Sequence, residues 1–219
     1  MSARENILAR IRAAQGKPFV PGDGEREQVR AHLAAHAQSP RPRAADDLIA
    51  CFRARALALS STFDEAGTLA DVPQAVANYL RRSNLPLDAV CWPDLLELGW
   101  GAAGLSVAAR AACDGDLVGI TGTFCAIAET GTLLMVSAPR SLATTSLLPE
   151  TYIALVRADR IVRGMEEAWQ MLRAEFGVPP RAVTFISGPS RTADIEQTVT
   201  LGAHGPYRVH IVLLAACRT

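Results

Sequence analysis

The chain has 219 residues, of which 49% are hydrophobic, and it carries 22 basic and 22 acidic side chains. This length fits one large domain or one domain with an appendage, and the apolar content suffices for a sizeable core. Because the charges balance, no net field favours binding to nucleic acid or to an anionic membrane. The first residues lack the apolar stretch of a signal peptide, and no run of about 18 apolar residues predicts a membrane span. We therefore expect a cytoplasmic protein.

The beginning of the chain predicts a helical N-terminal arm. Ser2 and Glu5 form the S-x-x-E pattern of a capping box at the start of a short amphipathic helix. A Gly- and Pro-rich stretch ends this helix, a second helix is predicted at about 26–37, and the SPRPR sequence at 39–43 ends that one. We assign residues 1–45 to the arm. Its apolar face is expected to pack onto the following domain, onto a second copy in a homodimer, or onto another protein.

The remainder, residues 46–219, predicts a single α/β domain. Helical patterns near Leu48–Leu59, after Pro73 and at 165–177 alternate with short apolar runs typical of buried strands. Alternation of this kind favours a mainly parallel central sheet flanked by helices. The predicted strands are 88–92, 116–121, 124–130, 132–137, 152–156, 182–187 and 208–215.

The first candidate site motif consists of two turns rich in Gly and Thr, at 119–123 and 128–132. Gly lets a backbone approach a ligand closely, and Thr hydroxyls are hydrogen-bond donors. Glu129 lies between an apolar run and a glycine turn, where a carboxylate would act as acid, base or nucleophile. A plain hairpin with Glu129 in solvent explains the same pattern equally well. The candidate ligand-binding residues of this motif are Thr121, Thr123, Thr130, Gly131 and Thr132.

The second motif, SGPSRTADIE at 187–196, directly follows a predicted core strand. Ligands of open α/β sheets lie beyond the carboxyl ends of the strands, where turns offer free backbone N–H groups. The Arg191 guanidinium suits a carboxylate or a phosphate, and an ordinary capped turn with a local ion pair is the alternative. The candidate ligand-binding residues here are Gly188, Ser190, Arg191, Thr192 and Asp194.

The third motif is a histidine between small residues just before the last strand. His204 and Gly205 form a flexible segment that either meets a ligand or makes a simple tight turn. Because successive strand ends of a parallel sheet gather at one edge, we expect Glu129–Gly131 to face the Gly188–Thr192 turn across one cleft, with His204 nearby.

The cysteines do not predict a metal centre in this chain. Their number is odd, their spacings are wide, and no C-x-x-C occurs, so an iron–sulfur cluster bound by this chain alone is not expected. Buried, reduced thiols are the favoured interpretation. No other metal site is predicted, and the sequence does not identify a cofactor. The five cysteines are Cys51, Cys91, Cys113, Cys125 and Cys217.

Three segments resemble the LUD-domain family, also called the YkgG family. They are AIAETGTLLM (126–135), LLPETYIALVRADRIV (147–162) and ISGPSRTADIEQTVTLGAHGPYRVHIVLL (186–214). The resemblance implies a fold like that of glucosamine-6-phosphate deaminase, ribose-5-phosphate isomerase and the CoA transferases. It also implies a part in the oxidation of L-lactate to pyruvate, alongside iron–sulfur partner proteins encoded nearby.

Two functions are consistent with this resemblance, and a scaffold whose pocket is vestigial is a third and plainer alternative. In the first, the chain is a component of an L-lactate utilisation system that binds a small anionic metabolite or cofactor and docks iron–sulfur partners. In the second, it is a free-standing enzyme of the CoA-transferase or sugar-phosphate class, because Glu129-Thr130-Gly131 resembles the nucleophile motif of CoA transferases. That likeness is an analogy of fold, and chemistry does not always follow fold.

Overall fold

The structure is a computed structural model that describes residues 2–38, 40–41, 46–193 and 199–215. Its internal contacts divide the chain into a unit of residues 1–42 and a unit of residues 43–219. This division lies close to the boundary expected after residue 45. The two units are described separately below.

The first unit contains helices α1 (Ala3–Ala14) and α2 (Asp23–Ala35). The predicted capping box is present, because Ser2 N–H donates to the Glu5 carboxylate and Glu5 N–H donates to the Ser2 hydroxyl. No residue of either helix is buried within the described chain. Arg12 and Glu25 join the helices through an ion pair of 2.6 Å. Polar contacts rather than a core therefore hold this pair of helices.

The second unit contains the remaining regular elements. Its helices are α3 (Leu48–Ala58), α4 (Val72–Arg82), α5 (Thr144–Leu147) and α6 (Met165–Phe176). In chain order its strands are β1 (Thr62–Ala66), β2 (Asp88–Cys91), β3 (Ser106–Ala109), β4 (Val118–Gly122), β5 (Cys125–Ile127), β6 (Thr132–Val136), β7 (Thr151–Arg157), β8 (Ile161–Val162), β9 (Val183–Ile186), β10 (Arg191–Thr192), β11 (Thr200–Leu201) and β12 (Arg208–Leu214).

Six strands form the central sheet in the order β1–β12–β7–β4–β2–β3. Every neighbouring pair in it is parallel. The prediction of an α/β domain with a parallel central sheet is therefore confirmed. The register places Ala66, Leu214 and Arg157 side by side at the carboxyl ends of β1, β12 and β7.

A second sheet, in the order β8–β5–β6–β9, was not predicted. β6 pairs antiparallel with both β5 and β9. The predicted strand at 182–187 therefore does not belong to the parallel sheet, as we expected, but to this mixed one. Its apolar pattern indicates burial, which is the same in either sheet, so the pattern alone cannot assign its partner. β10 and β11 form a separate antiparallel ribbon.

Side-chain alternation places a hydrophobic core on each face of the parallel sheet. On β12, Val212 and Leu214 face α4, whereas Val209, Ile211 and Leu213 face α3 and the second sheet. A third core joins the far face of the second sheet to Ala168 and Leu172 of α6. The order of layers is thus α4, parallel sheet, α3 with mixed sheet, and α6. A parallel sheet covered on both faces is typical of α/β proteins.

Candidate functional site

The first motif forms a four-residue hairpin loop between β5 and β6. Ile127 and Thr132 are paired across the hairpin, and the Gly131 N–H donates to the Ile127 carbonyl at 2.9 Å. The Glu129 N–H donates to the Arg163 carbonyl at 3.0 Å. The Glu129 side chain is half-buried and Thr130 is exposed. The plain-hairpin alternative thus describes the backbone of this motif.

The first and second motifs lie next to each other. The Thr132 hydroxyl is 2.8 Å from the Ser187 hydroxyl and 2.7 Å from that of Thr130. This contact follows from the antiparallel pairing of β6 with β9, in which Leu133 is opposite Ile186. The two motifs therefore meet through a strand pair of the second sheet, and not through the strand ends of a parallel sheet as we expected.

The glycines of both motifs are approached by the protein's own helix α3. A Cβ on Gly131 would lie 2.6 Å from the backbone nitrogen of Ala56, and one on Gly188 would lie 2.4 Å from the Leu59 carbonyl oxygen. Both glycines have positive φ, which favours glycine for a second reason. We call this region the α3 seam, meaning residues 55–60 packed against residues 128–132 and 187–191. At Gly131 and Gly188, it is the protein's own segment 55–60 that approaches the backbone and leaves no room for a Cβ.

Arg191 and His204 belong to the same end of the domain. The Arg191 guanidinium donates to the Ser60 hydroxyl and, at 3.3 Å, to the Leu59 carbonyl. The His204 N–H donates to the Ser190 hydroxyl at 3.4 Å. Thr192 pairs with Thr200 in the β10–β11 ribbon. Asp194, the remaining predicted ligand residue of this motif, lies outside the described residues.

Thr121 and Thr123, from the turn after β4, are engaged inside the fold. The fully buried Thr121 hydroxyl donates to the Gly122 carbonyl and lies 2.9 Å from the Tyr152 hydroxyl. Burial raises the pKa of Tyr152, so this pair stays neutral. The Thr123 hydroxyl donates to the Leu155 carbonyl at 3.1 Å. Neither side chain lies at the α3 seam.

Two cavities lie at opposite edges of the parallel sheet. One, of about 340 Å³, is at the amino ends of β7 and β12 and is lined in part by Glu150, Gly205 and Arg208. Gly205 is thus a predicted residue that borders a cavity. Arg208 and Glu150 are separated by 3.8 Å, an ion pair too long for a hydrogen bond.

The second cavity, of about 300 Å³, lies at the carboxyl ends of β1, β12 and β7. We call it the carboxyl-edge cavity, and its lining residues are Gly67, Thr68, Leu69, Arg157, Asp159, Leu214 and Ala215. Arg157 is the last residue of β7, and its guanidinium donates twice to the Asp159 carboxylate. This pairing lowers the pKa of Asp159, which is therefore ionised at neutral pH.

The residues of the carboxyl-edge cavity are not among the predicted site residues, although the sequence contains a signal for them. Arg157 and Asp159 directly follow the predicted strand 152–156, and Gly67 and Thr68 precede the helix that contains Pro73. The rule that ligands lie beyond strand carboxyl ends applies to both segments. The predicted site at 187–196 rests on the same rule for the 182–187 strand, which belongs to the other sheet.

A buried polar cluster surrounds His210 on the α4 side of the sheet. The His210 ring is completely buried and stacks on Tyr79 at 3.7 Å. Its Nδ1 is 2.8 Å from the Thr62 hydroxyl, and its Nε2 is 3.4 Å from Asp64, which also pairs with Arg82. Burial is the main reason that the pKa of His210 falls to about 4. His210 is therefore neutral at physiological pH.

The described cysteines differ in their exposure to solvent. Cys91 and Cys125 are buried, Cys51 is half-buried and Cys113 is exposed. Cys113 lies beside Asp116, which is held by Arg110. Among the described residues, no three His, Cys, Asp or Glu side chains are grouped so that they would hold a metal ion.

The family model of the LUD domain matches residues 61–214, a range that spans the parallel sheet from β1 to β12. The chain belongs to the LUD-domain family. Along the parts of this LUD-domain chain that the structure describes, no helix is both long and apolar enough to cross a membrane.

Several curated relatives of this LUD-domain chain are named Lactate utilization protein C. The Bacillus subtilis protein is 39% identical over 101 residues, which are 45% of this chain and 42% of that protein. The Exiguobacterium protein is 40% identical over 100 residues, 44% of each chain. The Macrococcus caseolyticus protein is 35% identical over 130 residues, 58% of this chain and 52% of its own. The matches thus span about half of each relative.

A solved structure is similar to this LUD-domain chain in fold. It is the crystal structure of a DUF162 family protein from Deinococcus radiodurans, with a TM-score of 0.58 and 22% sequence identity. The similarity covers 79% of this chain and 99% of that one. At this identity, the comparison supports the α/β architecture alone.

Proposed function

We propose that this LUD-domain chain acts in L-lactate utilisation, as a subunit that binds a small anionic metabolite and works with iron–sulfur partner proteins. The observation that carries the proposal is the set of relatives named Lactate utilization protein C, with 34–40% identity to this chain. The scattered cysteines support a division of labour in which the partners carry the clusters.

The genetic test is deletion of the gene in its own host. We expect the deletion to abolish growth on L-lactate and to leave growth on pyruvate intact, since pyruvate is the product of lactate oxidation. A plasmid copy of the full chain should restore growth on L-lactate. Unchanged growth of the deletion strain on L-lactate would contradict the proposed role.

The partner proteins are tested by purification. We expect the tagged chain, purified from its own host grown on L-lactate, to bring down iron-containing proteins with visible absorbance. The same chain produced alone in another bacterium should be colourless and free of iron. Stoichiometric iron in the chain produced alone would contradict the proposed division of labour.

The α3 seam stays a proposed ligand site, with Arg191 as anion contact and Glu129 as acid, base or nucleophile. If this site is used, Arg191→Ala should weaken binding of an anionic metabolite about tenfold or more, because charge-assisted hydrogen bonds are among the stronger ones. Glu129→Gln should impair growth on L-lactate while the protein remains folded. Normal growth with Glu129→Gln would remove Glu129 as a catalyst.

A further inference from the structure

The cavity at the amino ends of β7 and β12, which we call the amino-edge cavity, contains two charged side chains that the fold places side by side. The Arg208 N–H donates to the Glu150 carbonyl at 2.9 Å, and Arg208 is paired in register with Thr151, the first residue of β7. The start of β12 therefore brings the Arg208 guanidinium next to the Glu150 carboxylate. Both residues line the cavity, which has a volume of about 340 Å³.

The charged groups of Arg208 and Glu150 make no hydrogen bond to each other. Their closest atoms are 3.8 Å apart, whereas the other described pairs of Arg with a carboxylate in the second unit measure 2.5 to 2.7 Å. Among the described residues, neither of these two side chains has another hydrogen-bond partner. The side chains are 39% and 65% exposed, so a ligand from solvent can reach both.

An aromatic ring supports the guanidinium without using its donors. The Cζ of Arg208 lies 4.8 Å from the centre of the Tyr207 ring. Gly202 packs against the same ring, because a Cβ on this glycine would lie 3.3 Å from the Cβ and Cδ2 of Tyr207. Stacking uses the face of a guanidinium and leaves the N–H groups in its plane for a ligand. Leu148 and Leu201 add apolar surface to the cavity.

The two charges favour a ligand that carries both signs. A guanidinium offers only donors and binds a carboxylate well, whereas a carboxylate side chain only accepts and suits an ammonium group. A simple anion is attracted by Arg208 but repelled by Glu150, and a simple cation meets the opposite situation. In a zwitterionic 2-amino carboxylate, the ammonium and carboxylate groups are attached to one carbon atom. They therefore lie side by side, as the two protein groups do.

We propose that the amino-edge cavity binds an apolar amino acid, with the ligand carboxylate on Arg208 and the ligand ammonium group donating to Glu150. The apolar side chain of the ligand lies against Leu148, Leu201 and Tyr207. Ligand pockets are commonly apolar with a few polar groups that fix orientation, and they begin at about 300 Å³. The inference goes beyond the proposed function and does not rest on it, because no argument for this site uses lactate.

The direct test is titration of the full chain with L-leucine and with two analogues that keep its apolar part, followed by NMR or calorimetry. The first analogue, 4-methylpentanoate, lacks the ammonium group, and the second, 3-methylbutylamine, lacks the carboxylate. We expect L-leucine to bind at least about tenfold more tightly than either analogue. Equal affinity for L-leucine and 4-methylpentanoate would overturn the assignment to Glu150. No detectable binding of L-leucine at millimolar concentration would overturn the proposal.

Two variants test the charged residues separately. Arg208→Gln should weaken L-leucine binding at least about tenfold, and Glu150→Gln should remove the preference for L-leucine over 4-methylpentanoate. The matched controls are Arg140→Gln and Asp94→Asn, which alter another exposed Arg–Asp pair and should leave binding unchanged. Circular dichroism confirms that each variant is folded. L-leucine binding that survives Arg208→Gln, or that falls equally in the control variants, would place the ligand elsewhere and overturn the proposal.

Discussion

Acidification should destabilise the second unit through His210. His210 lies on β12, and its ring is completely buried against Tyr79 of α4. The pKa of the ring in the folded state is about 4, against an ordinary value of 6.5. Asp64 favours the charged form, but the desolvation of the ring and the nearby Arg82 oppose it and prevail. Protonation therefore favours the unfolded chain.

The pH window follows from the two pKa values. Above pH 6.5, His210 is neutral in both states, and it contributes no pH dependence. Between pH 6.5 and 4 the unfolded chain binds a proton that the folded chain does not, so stability falls as the pH falls. A difference of about 2.5 in pKa corresponds to about 3 kcal/mol in full, of which about 2.5 kcal/mol is lost by pH 4.5.

The measurement compares urea unfolding at pH 7 and pH 4.5 for the natural chain and for His210→Gln. Carboxylates also titrate in this range, but they contribute similarly to both chains, so the difference between the two pH dependences isolates His210. We expect the natural chain to lose about 2 to 3 kcal/mol more than the variant. His210→Gln should itself be less stable at pH 7, because it loses the stacking on Tyr79.

Equal pH dependences in the two chains, within about 0.5 kcal/mol, would refute this reasoning. An NMR titration gives an independent check. The His210 ring signals should show no midpoint near pH 6.5 while the protein is folded, whereas a normal midpoint would mean that the ring is hydrated.

Two further predictions concern packing and thiol access. Gly131→Ala should cost about 2 to 4 kcal/mol of stability, because its Cβ would lie 2.6 Å from the Ala56 backbone, whereas Gly99→Ala, also at positive φ but with open space, should cost about 1 kcal/mol. Equal losses of stability for the two variants in thermal unfolding would show that α3 moves to make room for the added Cβ. Burial raises the pKa of Cys91 and Cys125 to about 11. Alkylation at pH 8, read by peptide mass spectrometry, should therefore modify the exposed Cys113 at least about tenfold faster than these two.

The elements with local signals were predicted well from the sequence. The capping box of Ser2 and Glu5 fixes the start of α1, and Gly177 with the residues after it ends α6. The parallel sheet followed from alternating helices and strands, because parallel neighbours need crossover connections. In each case the determining interactions lie within a few residues, or repeat with a regular period.

The second sheet could not be predicted in the same way. β6 and β9 pair although about 50 residues separate them, and nothing in either segment names the other as its partner. Assigning β9 to the wrong sheet then placed the SGPSR segment at the wrong edge of the domain. In the structure, the SGPSR segment nonetheless lies close to the turn that contains Glu129, because the Thr132 hydroxyl contacts the Ser187 hydroxyl.

The glycines illustrate a deeper ambiguity. A turn through which a ligand approaches the backbone and a turn through which a helix approaches it need the same residue, because both require that no Cβ is present. Gly131 and Gly188 were assigned to ligand approach, and the structure places α3 against both. A glycine at such a position indicates that another group approaches the backbone closely, but only the fold shows whether that group is a ligand or part of the protein.

This ambiguity bears on how variants at the two edges of the parallel sheet are interpreted. Near the amino end of β1, Gly131 and Gly188 make close contacts with α3 and the turn that follows it, so substitutions of either glycine act first on the free energy of unfolding. At the carboxyl edge, the side chains of Arg157 and Asp159 are 65% and 47% exposed, so substitutions there should change the free energy of unfolding little. Loss of function at Gly131 or Gly188 therefore identifies a ligand contact only where the variant keeps its stability, because at these positions the chain's own backbone already fills the space.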